Sequence, residues 1–166
     1  MKIDSPVSMS VAVRPMRLED AAAVADLCRQ LGYATTVALV RYRFGSIVDR
    51  RDAGLFVAHD AVDRVIGWVH VYGTYLLESD AHAEIGGLVV AEEARGHGVG
   101  RALVAAAETW AERQVYGTVR VRSNVARVQA RGFYEHLGYD HIKTQNNFRK
   151  VLNTSNLSDS KGQQAT

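Results

Sequence analysis

Cysteine is almost missing from this chain. Cys28 stands alone among 166 residues, so no disulfide can close within it and the paired cysteines of common zinc sites are absent. Long apolar runs are missing too. No stretch of about 18 apolar residues occurs, and Met1 to Ser10 has no long apolar core behind a basic cap, which argues against a membrane span and a secretory leader. Charge of one sign is not concentrated anywhere: 20 basic and 18 acidic residues are scattered along the chain, giving a formal charge of +2. Neither nucleic acid nor a membrane surface is an expected partner for such a distribution. The sequence pI of 8.8 reflects a small arginine excess and fits, at most, a mildly basic pocket for an anionic ligand. No His-Glu-x-x-His occurs among the six histidines, and His82 with Glu84 lacks a third ligand, so no metal is expected. A soluble cytoplasmic protein is the expectation.

What is present is a globular composition, 47% hydrophobic, in a length that suits one domain. Val11 to Val13 alternates as a short strand. Beyond Pro15, the positions Val24, Leu27, Cys28 and Leu31 recur at helical spacing, and Gly32 follows as a C-terminal cap. A second helix is predicted from Thr36 to Val48, burying Leu39, Val40, Phe44 and Ile47 or Val48. From Gly54 the period becomes strand-like. Leu55 to Ala58 and Val65 to Tyr75 read as a hairpin about the turn Ala61 to Arg64, and Glu78 to His82 read as a second turn before a buried strand, Ala83 to Val90. Val99, Leu103, Ala106, Ala107 and Trp110 mark an amphipathic helix, and Val119 and Val121 a strand. Ala126 to Leu137 reads as a helix stopped by Gly138, although Gly132 inside it costs about 1 kcal/mol relative to alanine. Tyr139 to Leu152 has room for a final pair of strands. Strand-helix-strand units require parallel crossovers and the early hairpins require antiparallel pairs, so an α/β fold with a mixed central sheet and helices on both faces is expected. Residues 1–10 are expected to be a flexible start, 11–152 the folded domain, and the polar stretch 153–166 a disordered tail.

The segment Arg95-Gly96-His97-Gly98-Val99-Gly100-Arg101 joins a buried strand to a strong helix. Glycines let backbone approach a ligand, and a helix start offers unpaired N–H groups and partial positive charge, so the segment suits a pyrophosphate. A tight turn without a ligand is the plainer alternative. Gly100 is followed by Arg101 and Ala102, not by the Lys and Ser/Thr of a Walker loop. A dinucleotide fingerprint begun at Gly98 would need glycine where Leu103 stands, and no acidic residue follows in Gly117 to Arg122. ATP and NAD are disfavoured on both counts.

The run Ala83-Glu84-Ile85-Gly86-Gly87-Leu88-Val89-Val90 leading to Arg95-x-x-Gly98-x-Gly100 resembles the acetyl-CoA motif of GNAT-superfamily N-acetyltransferases. Asn124 followed by Phe133-Tyr134-Glu135-x-x-Gly138-Tyr139 is similar to that family's second cofactor motif, with Asn124 farther from Tyr134 than in its shortest versions. The resemblance implies a single GNAT-like domain with a splayed pair of parallel strands, here Glu84 to Val90 and Gly117 to Ser123. Gly86-Gly87 is awkward in a plain strand and points to a bulge that parts the pair, or to a bulge of packing only. Acetyl-CoA would then be held by Leu88, Val89 and Val90 along the strand, by Arg95, Gly96, His97, Gly98, Val99, Gly100 and Arg101 around the phosphates, and by Asn124 and Phe133. A backbone N–H near Val89 would receive the oxyanion.

By the same resemblance Tyr134 would be the general acid for the departing thiolate and Glu84 the base for the amine. A salt-bridged carboxylate is an equal reading of Glu84; His70, Tyr72 and His82 stand behind it as bases. Tyr33, Tyr42, Tyr72 and Tyr75 are aromatic candidates for an acceptor pocket or for core packing, with Tyr33 and Tyr72 foremost. The expected activity is transfer of acetyl from acetyl-CoA to an amine of a small molecule or peptide. The partners are that amine and, as an allowed assembly, a second copy in a homodimer. The rival reading is a non-catalytic acyl-CoA-binding regulatory module.

Overall fold

Pairing of strands, which single segments cannot specify, organises the computed structural model; it describes residues 9–152. The expected disordered tail, and the flexible start apart from residues 9 and 10, lie outside the described residues. The chain divides into two compact units, residues 1–127 and 128–166.

The first unit runs β1 (Ala12–Pro15), α1 (Ala21–Gln30), α2 (Val37–Ile47), β2 (Ala53–His59), β3 (Val65–Leu76), β4 (Ser79–Val90), α3 (Val99–Arg113) and β5 (Val119–Val121). Its sheet has the order β1-β2-β3-β4-β5, antiparallel through β4, with β5 parallel to β4. Helix α3 makes the crossover that a parallel neighbour requires.

Local chemistry sets the helix ends. Gly32, at φ +82°, terminates α1, its N–H donating to Arg29 O while that of Tyr33 donates to Cys28 O; this pair of bonds satisfies two terminal carbonyls. Thr36 caps α2 by accepting from Leu39 N at 3.2 Å. Asp20, buried just before α1, accepts from Arg14 at 2.8 and 2.9 Å and from Arg17 N at 2.7 Å, pinning β1 to the helix start.

Helices cover both faces of this sheet. On one, Ala21, Val24 and Ala25 of α1 and Val40 of α2 form a core with Val57, against which Cys28, Val37 and Trp68 pack. On the other, Val99 and Leu103 of α3 occupy the space above Gly67, and Trp110 that above Gly54. Three sequence expectations are corrected here. Leu39 is exposed, 43%, because α2 enters the core through Val37 and Val40, while Phe44 is half-buried and, of the two alternatives at its end, Ile47 is half-buried and Val48 exposed. The polar run Glu78 to His82 is not a turn: β4 starts at Ser79, opposite Leu76, and only Leu77 and Glu78 turn. Pairing with β3 carries these polar residues into the ladder regardless of their loop-like composition. β5 spans three residues rather than the seven expected.

The second unit contains α4 (Val128–His136). Gly138 at φ +88° ends it, with Gly138 N donating to Glu135 O and Tyr139 N to Tyr134 O, while the Tyr134 and Tyr139 rings meet edge-on at 5.6 Å. The final strand pair expected in 139–152 does not form among the described residues. Lys143 to Asn147 has no apolar residue, so these residues present no apolar face to bury, and Ile142, Phe148, Val151 and Leu152 are exposed.

Candidate active site

The β4–β5 ladder is short. It joins Ala83 to Val119, Glu84 to Arg120 and Ile85 to Val121, then ends, while β4 continues to Val90 paired with β3 alone. The break coincides with the bulge expected at the two glycines: His70 faces Gly87 and Val71 faces Ile85, leaving Gly86 without a partner on β3. Leu88, Val89 and Val90 therefore lie where one edge of β4 has no pairing strand among the described residues.

The glycines serve packing as well. A Cβ on Gly86 would stand 2.5 Å from the Tyr72 ring, and one on Gly87 would stand 2.7 Å from the Trp68 ring. Side chains at these positions would displace the aromatic residues of β3 that cover the bulge.

Beyond β4 the backbone turns through residues 95–98 into α3. Gly96 and Gly98 are left-handed, at φ +78° and +80°, and Gly98 is the N-cap residue. A Cβ on either would meet nothing within 4 Å, so conformation, not space inside the protein, demands glycine. Among the described residues no side chain caps the start of α3. Its first N–H groups, from Val99, Gly100 and Arg101, are thus uncommitted to a capping side chain, in the field of the helix start. The Val99 side chain is buried beneath the loop, so only its backbone is available to a ligand. Arg95 and Arg101 are exposed beside the turn, and His97 Nδ1 lies 2.9 Å from Arg95 O, bracing it.

Glu84 is 6% exposed, in the parallel part of β4. Its Oε1 accepts from Arg122 Nε at 2.7 Å and from the Tyr72 hydroxyl at 3.2 Å, with Arg122 Nη2 at 2.5 Å. Of the two readings of this carboxylate, the ion pair is what the geometry displays. Burial, then the Glu84 charge, pushes the Tyr72 phenol upward; the Glu84 hydrogen bond and charge keep Arg122 protonated. Arg122 carried no signal in the sequence, being 38 positions from its partner.

A cavity of about 280 Å³ opens beside this cluster, lined by Ile47 at the end of α2, Arg50, Ala53 of β2, and His70 and Tyr72 of β3. Tyr72 is the one aromatic acceptor candidate among these lining residues. Tyr33, Tyr42 and Tyr75 are exposed, and the Tyr75 and Tyr116 hydroxyls share a 2.7 Å hydrogen bond. His82, 3% exposed, is held at Nδ1 near Asp80 O. Asn124 Oδ1 accepts from Ala126 N at 2.9 Å, closing a local turn. In the second unit, Phe133 and Tyr134 sit on α4 with ring centres 5.0 Å apart. No group of three or more His, Cys, Asp or Glu able to hold a metal exists among the described residues, and no helix among them is long and apolar enough to cross a membrane.

The class is that of an open α/β sheet whose last two strands part beyond Ile85, next to a helix start behind two left-handed glycines. The chain belongs to the acetyltransferase (GNAT) family, whose sequence profile it matches over residues 22–139. Comparison with curated protein sequences yields no match. Among solved structures, it is similar to the aminoglycoside N-acetyltransferase AAC(6')-Iy in complex with CoA, at 17% identity and TM-score 0.77, covering 89% of this chain and 99% of that one. It is also similar to the aminoglycoside 6'-N-acetyltransferase AAC(6')-Ih from Acinetobacter baumannii, at 15% identity and TM-score 0.74, covering 87% and 100%. A transcriptional regulator from Bacillus halodurans C-125 shares the fold at 22% identity and TM-score 0.73, covering 84% and 100%.

Proposed function

We propose that this protein is an N-acetyltransferase that moves the acetyl group of acetyl-CoA to a primary amine. The observation that carries this reading is the loop at 95–98: two left-handed glycines present the uncapped start of α3 beside the unpaired edge of β4. An anion at the helix start and an amide-bearing chain along the strand edge are the two needs of a pantetheine pyrophosphate, and these residues fit both. AAC(6')-Iy, similar in fold, is a CoA-binding protein, which agrees with the assignment.

In this reading the backbone of Gly96 to Arg101 holds the pyrophosphate, with Arg95 and Arg101 supplying charge. The free edge of Leu88 to Val90 pairs with the pantetheine amides, and a backbone N–H near Val89 stabilises the oxyanion. Asn124 and Phe133 are assigned to the donor from the second motif. Tyr134, on the same motif, protonates the departing sulfur. The base belongs to the Glu84, Tyr72 and His70 group, and Tyr72 with Tyr33 borders the acceptor. The cytoplasm is the proposed location, with a homodimer as an allowed assembly.

Thermal unfolding tests the donor assignment. A ligand that binds only the native state stabilises it by about 2.7 kcal/mol at a hundredfold excess over Kd, so CoA and acetyl-CoA raise Tm by roughly 5–11 °C while ATP and NAD do not. Equal shifts with ATP refute it. Release of free thiol in the presence of amines separates an enzyme from a non-catalytic acyl-CoA-binding module, which binds CoA without turnover.

A further inference from the structure

We propose that His70 is the group that takes the proton of the acceptor amine, an assignment that rests on the acetyltransferase reading and deepens it. Trp68, His70, Tyr72 and Thr74 alternate along β3 and share one of its faces. Among the described residues, four buried side-chain polar atoms have no hydrogen-bond partner, and three are on this face: Trp68 Nε1, His70 Nε2 and Thr74 Oγ1. Buried polar atoms are ordinarily paired, because leaving one unpaired forfeits its hydration without recompense. Within this row Trp68 belongs to the packed core under α1, with Cys28 as a neighbour, and only an unpaired group that borders a cavity can meet a ligand.

His70 is the member of that row whose ring lines the cavity beside Ile47, Arg50, Ala53 and Tyr72. It also stands opposite Gly87, next to the bulge where β4 loses β5, one strand away from the edge assigned to the thioester. Glu84 Oε1, in contrast, already accepts from Arg122 and Tyr72. Its role becomes one of position: it holds the Tyr72 hydroxyl at the cavity wall. Burial, and after it the charge of Arg50, lowers the His70 pKa from the ordinary histidine value, so the ring is uncharged at neutral pH. The charged and titratable groups about it are Arg50, which is paired with Asp52, and Tyr72, which is bonded to Glu84 and through it to Arg122.

The step balances without another reactant. With its own proton on Nδ1, His70 offers the Nε2 lone pair. The neutral amine attacks the thioester carbon; the C–N bond forms and the carbonyl electron pair moves to oxygen. The nitrogen, now cationic and acidic, gives its proton to Nε2. Collapse restores the carbonyl and breaks the C–S bond, whose electron pair leaves on sulfur and takes a proton from the general acid. The imidazolium then returns its proton through solvent to that acid, leaving amide and thiol.

The test measures thiol release from acetyl-CoA with kanamycin, spermidine, benzylamine and an alanyl dipeptide as acceptors, across pH 5 to 9, together with CoA binding by calorimetry. His70→Gln is expected to lose on the order of a hundredfold in kcat/KM with CoA affinity unchanged. Every variant loses rate on acidification as the amine is protonated; the parent is expected to show a second, steeper fall through a pKa below the ordinary histidine value, which vanishes in His70→Gln and persists in Glu84→Gln. Exogenous imidazole is expected to restore part of the lost rate. A His70→Gln variant that keeps the parent's rate within about twofold and its pH profile overturns the assignment while leaving the acetyltransferase reading intact. A parent that binds CoA yet acetylates none of the four amines overturns both.

Discussion

Replacing Gly98 by valine isolates the contribution of one backbone angle. At φ +80° a non-glycine residue pays about 1–2 kcal/mol, and a β-branched one more, because Cβ crowds the following carbonyl. The empty space about a Cβ at this position excludes any clash within the protein as a further cost. The chain can escape the strain by rotating residue 98 to negative φ, but that swings the turn away from the start of α3 and misdirects its N–H groups. Losing one or two hydrogen bonds to a charged phosphate, each about 1.5–3 kcal/mol, predicts a CoA affinity weaker by roughly ten- to ten-thousandfold. Calorimetric titration with CoA, alongside circular dichroism melts, separates the two effects. Tm should drop by only a few degrees, at about 2–4 °C per kcal/mol, while binding is largely lost. Gly98→Asn, which tolerates the left-handed region, should retain more affinity than valine. A folded Gly98→Val protein that binds CoA like the parent would refute the reasoning, since the loop would then owe nothing to its left-handed cap.

Two further outcomes are expected. Tyr134→Phe should lower the single-turnover acetylation rate on the order of a hundredfold with little change in the Kd of acetyl-CoA, as removal of a general acid does; an unchanged rate would make Tyr134 a packing residue. For Asp20, burial pushes the carboxyl upward, but hydrogen bonds from Arg14 and Arg17 N outweigh it and hold the pKa below the usual carboxylate value. Its contribution to stability is therefore full above about pH 4, the unfolded value, and is lost as pH falls through the lower folded value. Denaturant melts should show Asp20→Asn less stable than the parent by about 1.5–3 kcal/mol at pH 7, with the gap closing in acid; a gap that widens in acid would contradict this.

Features that the sequence by itself determined are those fixed within a few consecutive residues. Gly32 and Gly138 end their helices because only the left-handed region closes the terminal bonds to Cys28 and Tyr134, and Thr36 begins one because its hydroxyl reaches the N–H three residues on. The loop from Arg95 to Gly98 and the apolar stripe of α3 are equally local, one a matter of φ and the other of a 3.6-residue period. The bulge at Gly86-Gly87 was legible for the same reason, as paired glycines in a buried strand need a cause.

Partners separated along the chain were decided only by the tertiary structure. Ser79 joins β4 because Leu76 lies opposite, whatever its polarity suggests, whereas residues 139–152 have strand-like character without a ladder to enter. Glu84 reads in sequence as a base or as half of an ion pair, and only the parallel crossover through α3 brings up Arg122, which donates to its Oε1. His70 stood in sequence with Tyr72 and His82 behind Glu84 as a base, and only the sheet sets it beside a cavity and opposite the bulge. Hydrogen-bond pairing and charge complementarity act through space, so their outcome depends on which distant segments the sheet makes neighbours, and no window of sequence contains that information.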